Sequence, residues 1–146
     1  MRDKIIRIKW ESPILLDDAI ESDLTNTQGL YYITRLFGTK ETSLYLGIAT
    51  KENTIRHRLR GHKSYWLPDY RGKIYVRVGS VEYASCPLDM AIDHAESAIL
   101  YDHAHKHLFP ENISKRKSYT YSELFRIENT GNHFELSPTI RMHDQI

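Results

Sequence analysis

The chain predicts an α+β fold, with a small antiparallel sheet of about three strands flanked by helices and followed by a C-terminal β-hairpin. Three observations point there. Two short apolar runs, "GLYYI" and "LYLGI", each carry Tyr and Gly and are separated by a polar, glycine-containing segment, as in a hairpin. The hairpin comes first and the main helices follow it, an order that argues for an antiparallel sheet and against a doubly wound parallel one. With 146 residues, 40% of them hydrophobic and 27% charged, the chain is one domain that can bury a core without disulfide staples.

The elements follow in order. "KIIRIKW" alternates as a strand does, and "SPILLDDAIESDL" reads as a short helix after Pro13. Residues 29–37 and 43–48 read as two strands joined by the loop "GTKETS". Residues 50–66 read as a helix, with Thr50 as N-cap, Glu52 in the first turn and Ile55 and Leu59 one turn apart on the buried side. Pro68 and Gly72 break the pattern, and "KIYVRVGSVEY" is a further strand. After Pro87, "LDMAIDHAESAILYDHAHKHLF" reads as a long helix with Leu88, Ala91, Ile92, Ala95 and Ile99 along one side, ended by Pro110. In the tail, "ELFRI" and "HFELS" flank the turn-forming "ENTGN". The division this predicts is an N-terminal extension over 1–27, a central domain over 28–117 and a hairpin over 118–146 packed on the same domain.

The single cysteine, Cys86, excludes an internal disulfide framework and fits a reducing compartment. No apolar run is long enough for a membrane span, and "MRDKIIRIKWES" lacks the apolar core of a signal peptide. The expectation is a cytoplasmic protein with no membrane partner. Net charge is only +1, but its distribution is uneven. Residues 51–77 hold eight Lys and Arg, among them Arg56, Arg58, Arg60 and Lys63, against Glu52 and Asp69. Residues 78–112 hold six acids against Lys106. Such a basic block suits a polyanion, although alone it reads as an ordinary solvated face.

Several residues carry candidate chemistry. Arg58 and His62 are four apart and share a helix side at the edge of the buried stripe, where a guanidinium can be held and still clamp a phosphate. Glu96 lies beside the apolar stripe of the long helix, a position costly for a carboxylate unless it is paired or holds a cation. Asn112 follows that helix and can both donate and accept. Each of these, alone, is ordinarily a surface or capping residue. His103, His105 and His107 have a spacing that brings zinc to mind, but no cysteine and no HExxH glutamate accompany them. Histidines at the negative end of a helix are the simpler account.

Taken together, these residues resemble the GIY-YIG nuclease family. Gly29-Leu30-Tyr31 and Tyr45-Leu46-Gly47 correspond to the two halves of the name, with Leu in place of Ile in each. Arg58 and His62 in "RLRGH", Glu96 in "AESAIL" and Asn112 in "PEN" follow in the family's order, so that the likeness covers about residues 28 to 114. Tyr31 is preferred over its neighbour Tyr32 because of its spacing after Gly29. The two face opposite sides of a strand, so a register error would exchange them.

The resemblance implies a GIY-YIG type fold and divalent-metal-dependent hydrolysis of DNA phosphodiester bonds. Tyr31, Tyr45, Arg58, His62 and Glu96 would be catalytic, and Gly29, Gly47 and Asn112 supporting. Glu96 would hold one Mg²⁺ or Mn²⁺, and Lys63, Arg60 and Arg56 would contact DNA. Tyr31 would be the base that takes the proton from the attacking water, with Tyr45 or His62 positioning the water or assisting. A tyrosine needs nearby positive charge to do so, and His62, with an ordinary pKa near 6.5, is the alternative base. A single site cuts one strand, so a double-strand break would require a homodimer or two binding events. The alternative function is a DNA-binding module of the same fold that has lost catalysis.

Overall fold

The computed structural model describes residues 4–103, 109–112 and 125–141. In chain order its elements are β1 (Lys4–Trp10), β2 (Ile14–Leu15), α1 (Leu16–Glu21), β3 (Gly29–Phe37), β4 (Lys40–Ala49), α2 (Ile55–Tyr65), β5 (Lys73–Ala84), α3 (Leu88–His103), β6 (Phe125–Gly131) and β7 (Thr139–Arg141). Single 3₁₀ turns lie at Asp23–Thr25 and Leu67–Asp69.

The strands form one seven-stranded sheet in the order β4-β3-β5-β1-β6-β7, with β2 also on β5. β1 is antiparallel to β5 but parallel to β6. The sheet is therefore large and mixed, which corrects the expected small antiparallel sheet of about three strands. The physical reason is that alternation tells which residues face the core, not which strand lies alongside. β5 is twelve residues long. One of its edges takes β3; the other would be left with unpaired amides, and β1 and β2 fill it. β1 is thus an interior strand of the sheet, with Ile6, Ile8 and Trp10 buried.

The expected C-terminal hairpin is present as β6 and β7, but its turn and second strand lie elsewhere than expected. "ENTGN" does not turn; β6 runs through it to Gly131, residues 132–138 form the loop, and "HFELS" lies in that loop. The second strand is the short β7. Asn129 explains the difference. Its side chain is buried, accepting from the Trp10 indole N–H at 2.9 Å and donating to the Ser137 carbonyl at 2.9 Å. These tertiary bonds replace the local ones that make Asn a turn former.

Two further expectations change in detail. α2 is capped by Thr54, whose hydroxyl accepts from the His57 N–H, and not by Thr50; Glu52 lies ahead of the helix. Lys51, at φ 59°, stands in a left-handed turn that no helix could include. "GTKETS" is strand from Lys40 onward, because Phe37 already pairs with Lys40. The long helix was expected to reach residue 109; it is seen to His103, and residues 104–108 lie outside the described residues.

The sheet buries both faces. α3 covers one, with Ala91, Ile92, Ala95, Ala98 and Ile99 against Ile6, Ile8, Trp10, Leu30, Tyr32 and Leu46. α1 and α2 cover part of the other, with Ala19, Ile20, Ile55 and Leu59 against Tyr31, Ile33, Leu44, Val76 and Val78. Among the described residues no helix is long and apolar enough to cross a membrane.

A bulge in β4 sets which side chains reach which face. Ile33 pairs with Tyr45 while the next residue, Thr34, pairs with Ser43, leaving Leu44 as the extra residue. Ser43 can then face Tyr32 while Tyr45 faces the α2 side with Tyr31.

Candidate active site

The site is built where β3, β4 and α2 meet. In β3, alternation sends Tyr31 toward α2 and Tyr32 toward α3. Tyr31 pairs with Gly47 of β4, and its ring lies directly over that glycine: a Cβ there would stand 2.3 Å from the Tyr31 Cζ. Only glycine leaves room for the ring. Gly29, at the head of β3, backs closely onto another strand; its Cβ would fall 2.7 Å from the Gly79 carbonyl oxygen, at a φ of 153° that side chains avoid.

α2 supplies a row at i, i+4 spacing: Arg58, His62 and, just beyond the last turn, Trp66. His62 Nε2 is 2.8 Å from the Tyr31 hydroxyl, and the Trp66 indole N–H donates to His62 Nδ1 at 2.8 Å. An indole nitrogen can only donate, so Nδ1 carries no proton. The ring proton is therefore on Nε2 and is donated to the Tyr31 oxygen. The His62 pKa is pushed down to about 4, first by burial and then by the Arg58 guanidinium. His62 is accordingly a neutral ring with both nitrogens engaged.

Arg58 faces both phenol oxygens and acts on each by charge and hydrogen bonding, and its own pKa is raised, chiefly by Tyr31. Its side chain is otherwise largely exposed. The rings of Tyr31 and Tyr45 lie 6.1 Å apart, Tyr45 and His62 4.7 Å, and Tyr45 and Trp66 5.7 Å. Tyr31 is 0% exposed, whereas Tyr45 is only half-buried and forms the open end of the pair. Burial pushes both phenols up in pKa; Arg58 pulls each down and Glu96 pushes each up. Glu96, on α3 and 8% exposed, thus lies within electrostatic reach of both tyrosines.

Asn112 lies apart from this cluster. Its amide accepts from the Leu46 N–H and donates to the Leu46 carbonyl, both at 2.8 Å, and the neighbouring Glu111 N–H donates to the Leu44 carbonyl. Together they cap the outer edge of β4, on either side of Tyr45. The three expected DNA contacts on α2 diverge. Lys63 is paired with Asp17 at 2.6 Å, Arg56 donates to the Ser22 carbonyl at 3.0 Å, and Arg60 is exposed. His103 is a strut, with Nδ1 on the Ile99 carbonyl and Nε2 accepting from the Ser137 N–H; His105 and His107 lie outside the described residues.

Sequence reasoning missed Trp66, which fixes the His62 tautomer. Its spacing of four from His62 was the available signal. A second polar cluster also escaped notice. Arg77, 3% exposed, pairs with Glu41 at 2.6 Å and stacks against Phe134, while Tyr32 bonds to Ser43 and Ser43 to Glu135 at 2.8 Å. This cluster ties the loop at 132–138 to β3 and β4.

No family model matches the chain, and comparison with curated proteins and with solved structures gives no match. The chemistry of the site is therefore read from its own geometry.

Proposed function

We propose that the protein is a divalent-metal-dependent DNA endonuclease of the GIY-YIG kind, working in the reducing setting of the cytoplasm. The observation that carries this reading is the convergence of Tyr31, Tyr45, Arg58 and His62 in one contact cluster within electrostatic reach of the Glu96 carboxylate. The donor set suits Mg²⁺ or Mn²⁺. Among the described residues no three His, Cys, Asp or Glu come together. Mg²⁺ needs no such cage, because it keeps several waters and takes one or two carboxylates plus phosphate oxygens. Glu96 is the residue that would hold it. When bound, the cation would polarise the phosphate and stabilise the departing oxygen.

The remaining work falls to the chain's own groups. Arg58, exposed yet anchored on the phenols, is placed to clamp the phosphate and offset its charge. His62 is unsuited to taking a proton from water, since Nε2 already carries one and Nδ1 is occupied by the Trp66 N–H. That favours the tyrosines as the base. Tyr45, at the open end, meets the water; Tyr31, behind it, is braced by His62 and Arg58.

The test is plasmid cleavage by the purified protein with Mg²⁺ or Mn²⁺ and with EDTA, beside Glu96→Ala. Metal-dependent nicking should fall at least about a hundredfold in the variant. Binding of DNA with no cleavage by either protein would replace the enzyme with a binding module.

A further inference from the structure

The two faces of α2 next to the site differ in a way the cleavage reaction does not use. Arg58, His62 and Trp66 form one row. Beside it runs a second row, His57, Gly61 and Tyr65, also at i, i+4 spacing. These six residues line an open cavity of about 380 Å³. Its floor is bare at Gly61, where an added Cβ would meet nothing within 4 Å. Its far wall is Tyr65, which is 85% exposed at the end of the helix, a large apolar ring displayed to solvent. The cavity opens directly beside Arg58, the group placed to clamp the phosphate. It is thus an open recess with aromatic and imidazole sides that shares Arg58 and His62 with the candidate site.

We propose, resting on the nuclease reading above, that this cavity is a nucleobase subsite and that the favoured substrate is DNA carrying an unpaired base beside the phosphate to be cut. A flat base offers a π face to Tyr65, and stacking of this kind tolerates any base. A base within a paired stack has both faces covered and cannot enter. An unpaired base swings out at the least cost, so the slot selects for it. The gap at Gly61 is what admits the ring, and the imidazole of His57 and the Arg58 guanidinium supply polar contacts at the rim.

The experiment compares two labelled duplexes, fully paired or with one unpaired base, by fluorescence anisotropy in EDTA. Wild type, Tyr65→Ala and Gly61→Leu are each examined, with a thermal melt confirming that the variants fold. Wild type should bind the unpaired-base duplex on the order of tenfold more tightly. Both variants should bring that ratio close to one, the first by removing the platform and the second by filling the slot. Equal binding of the two duplexes by wild type, or a ratio unchanged in both variants, overturns the subsite. The same duplexes are then incubated with Mg²⁺. Cleavage without preference removes the subsite and leaves the nuclease; preference without cleavage removes the nuclease and leaves the subsite.

Discussion

Tyr31 and Tyr32 are chain neighbours with opposite surroundings. Tyr31 points at His62 and Arg58, and Tyr32 at Ser43 beneath Glu135. Burial holds both phenols above the usual range. For Tyr31 and Tyr45, the proposed catalytic pair, the sign follows directly. The phenols are protonated at neutral pH, so the reactive fraction grows with pH. Single-turnover cleavage should therefore rise with a log slope of about one from about pH 6 to 9, with no inflection at the ordinary histidine pKa near 6.5. A rate independent of pH over that range would return the base role to His62, whose pKa is pushed down to about 4. The Arg58–His62 pair was legible because helical spacing alone puts the two on one side. Trp66 was not, since nothing local marks an indole as the partner of a particular ring nitrogen.

At the element scale, the β3–β4 hairpin carries the site through pairing, a bulge and one missing side chain. Gly47→Ala would drive a methyl into the Tyr31 ring. It should cost about 1–3 kcal/mol in urea unfolding and reduce cleavage by more than that loss accounts for, because the displaced ring leaves His62. Unchanged activity in a folded Gly47→Ala protein would mean that the Tyr31 position does not matter. These two strands, α2, β5 and α3 could be read from periodicity and breakers, as their patterns are long and local. β6 could not. Its Asn and Gly spell a turn, and only the Trp10 indole, far back in the sequence, together with the Ser137 carbonyl across the loop, straightens it. The bulge at Leu44 was equally hidden, since it depends on what Ser43 and Tyr45 each meet across the sheet.

For the whole molecule, two groups on different faces respond to acid in the same direction. His62 titrates near 4 in the folded chain and near 6.5 when unfolded, so below 6.5 the unfolded chain takes up the proton first. Glu41 is partly buried, which opposes its charge, yet the hydrogen bonds from Arg77 and Thr34 outweigh this and hold it below the usual carboxylate range. Its contribution is present above the unfolded carboxylate pKa and fades as pH drops past it. Melting temperature should therefore fall from pH 6.5 downward and fall further below pH 4.5. The gap between wild type and His62→Gln should narrow over the first interval. A melting temperature flat between pH 7 and 4.5 would show that His62 is not held neutral.

The place of β1 has a consequence for how the chain comes together in time. Arg7 on β1 finds Glu128 on β6 121 positions later. At ribosomal speeds β1 waits on the order of ten seconds before that partner exists. Through that interval the edge bearing Ile6, Ile8 and Trp10 is uncovered, and sheet closure is a late, long-range step that slows folding. A chain stopped just before residue 125 would keep every group of the candidate site and still present a sticky interior strand to its neighbours.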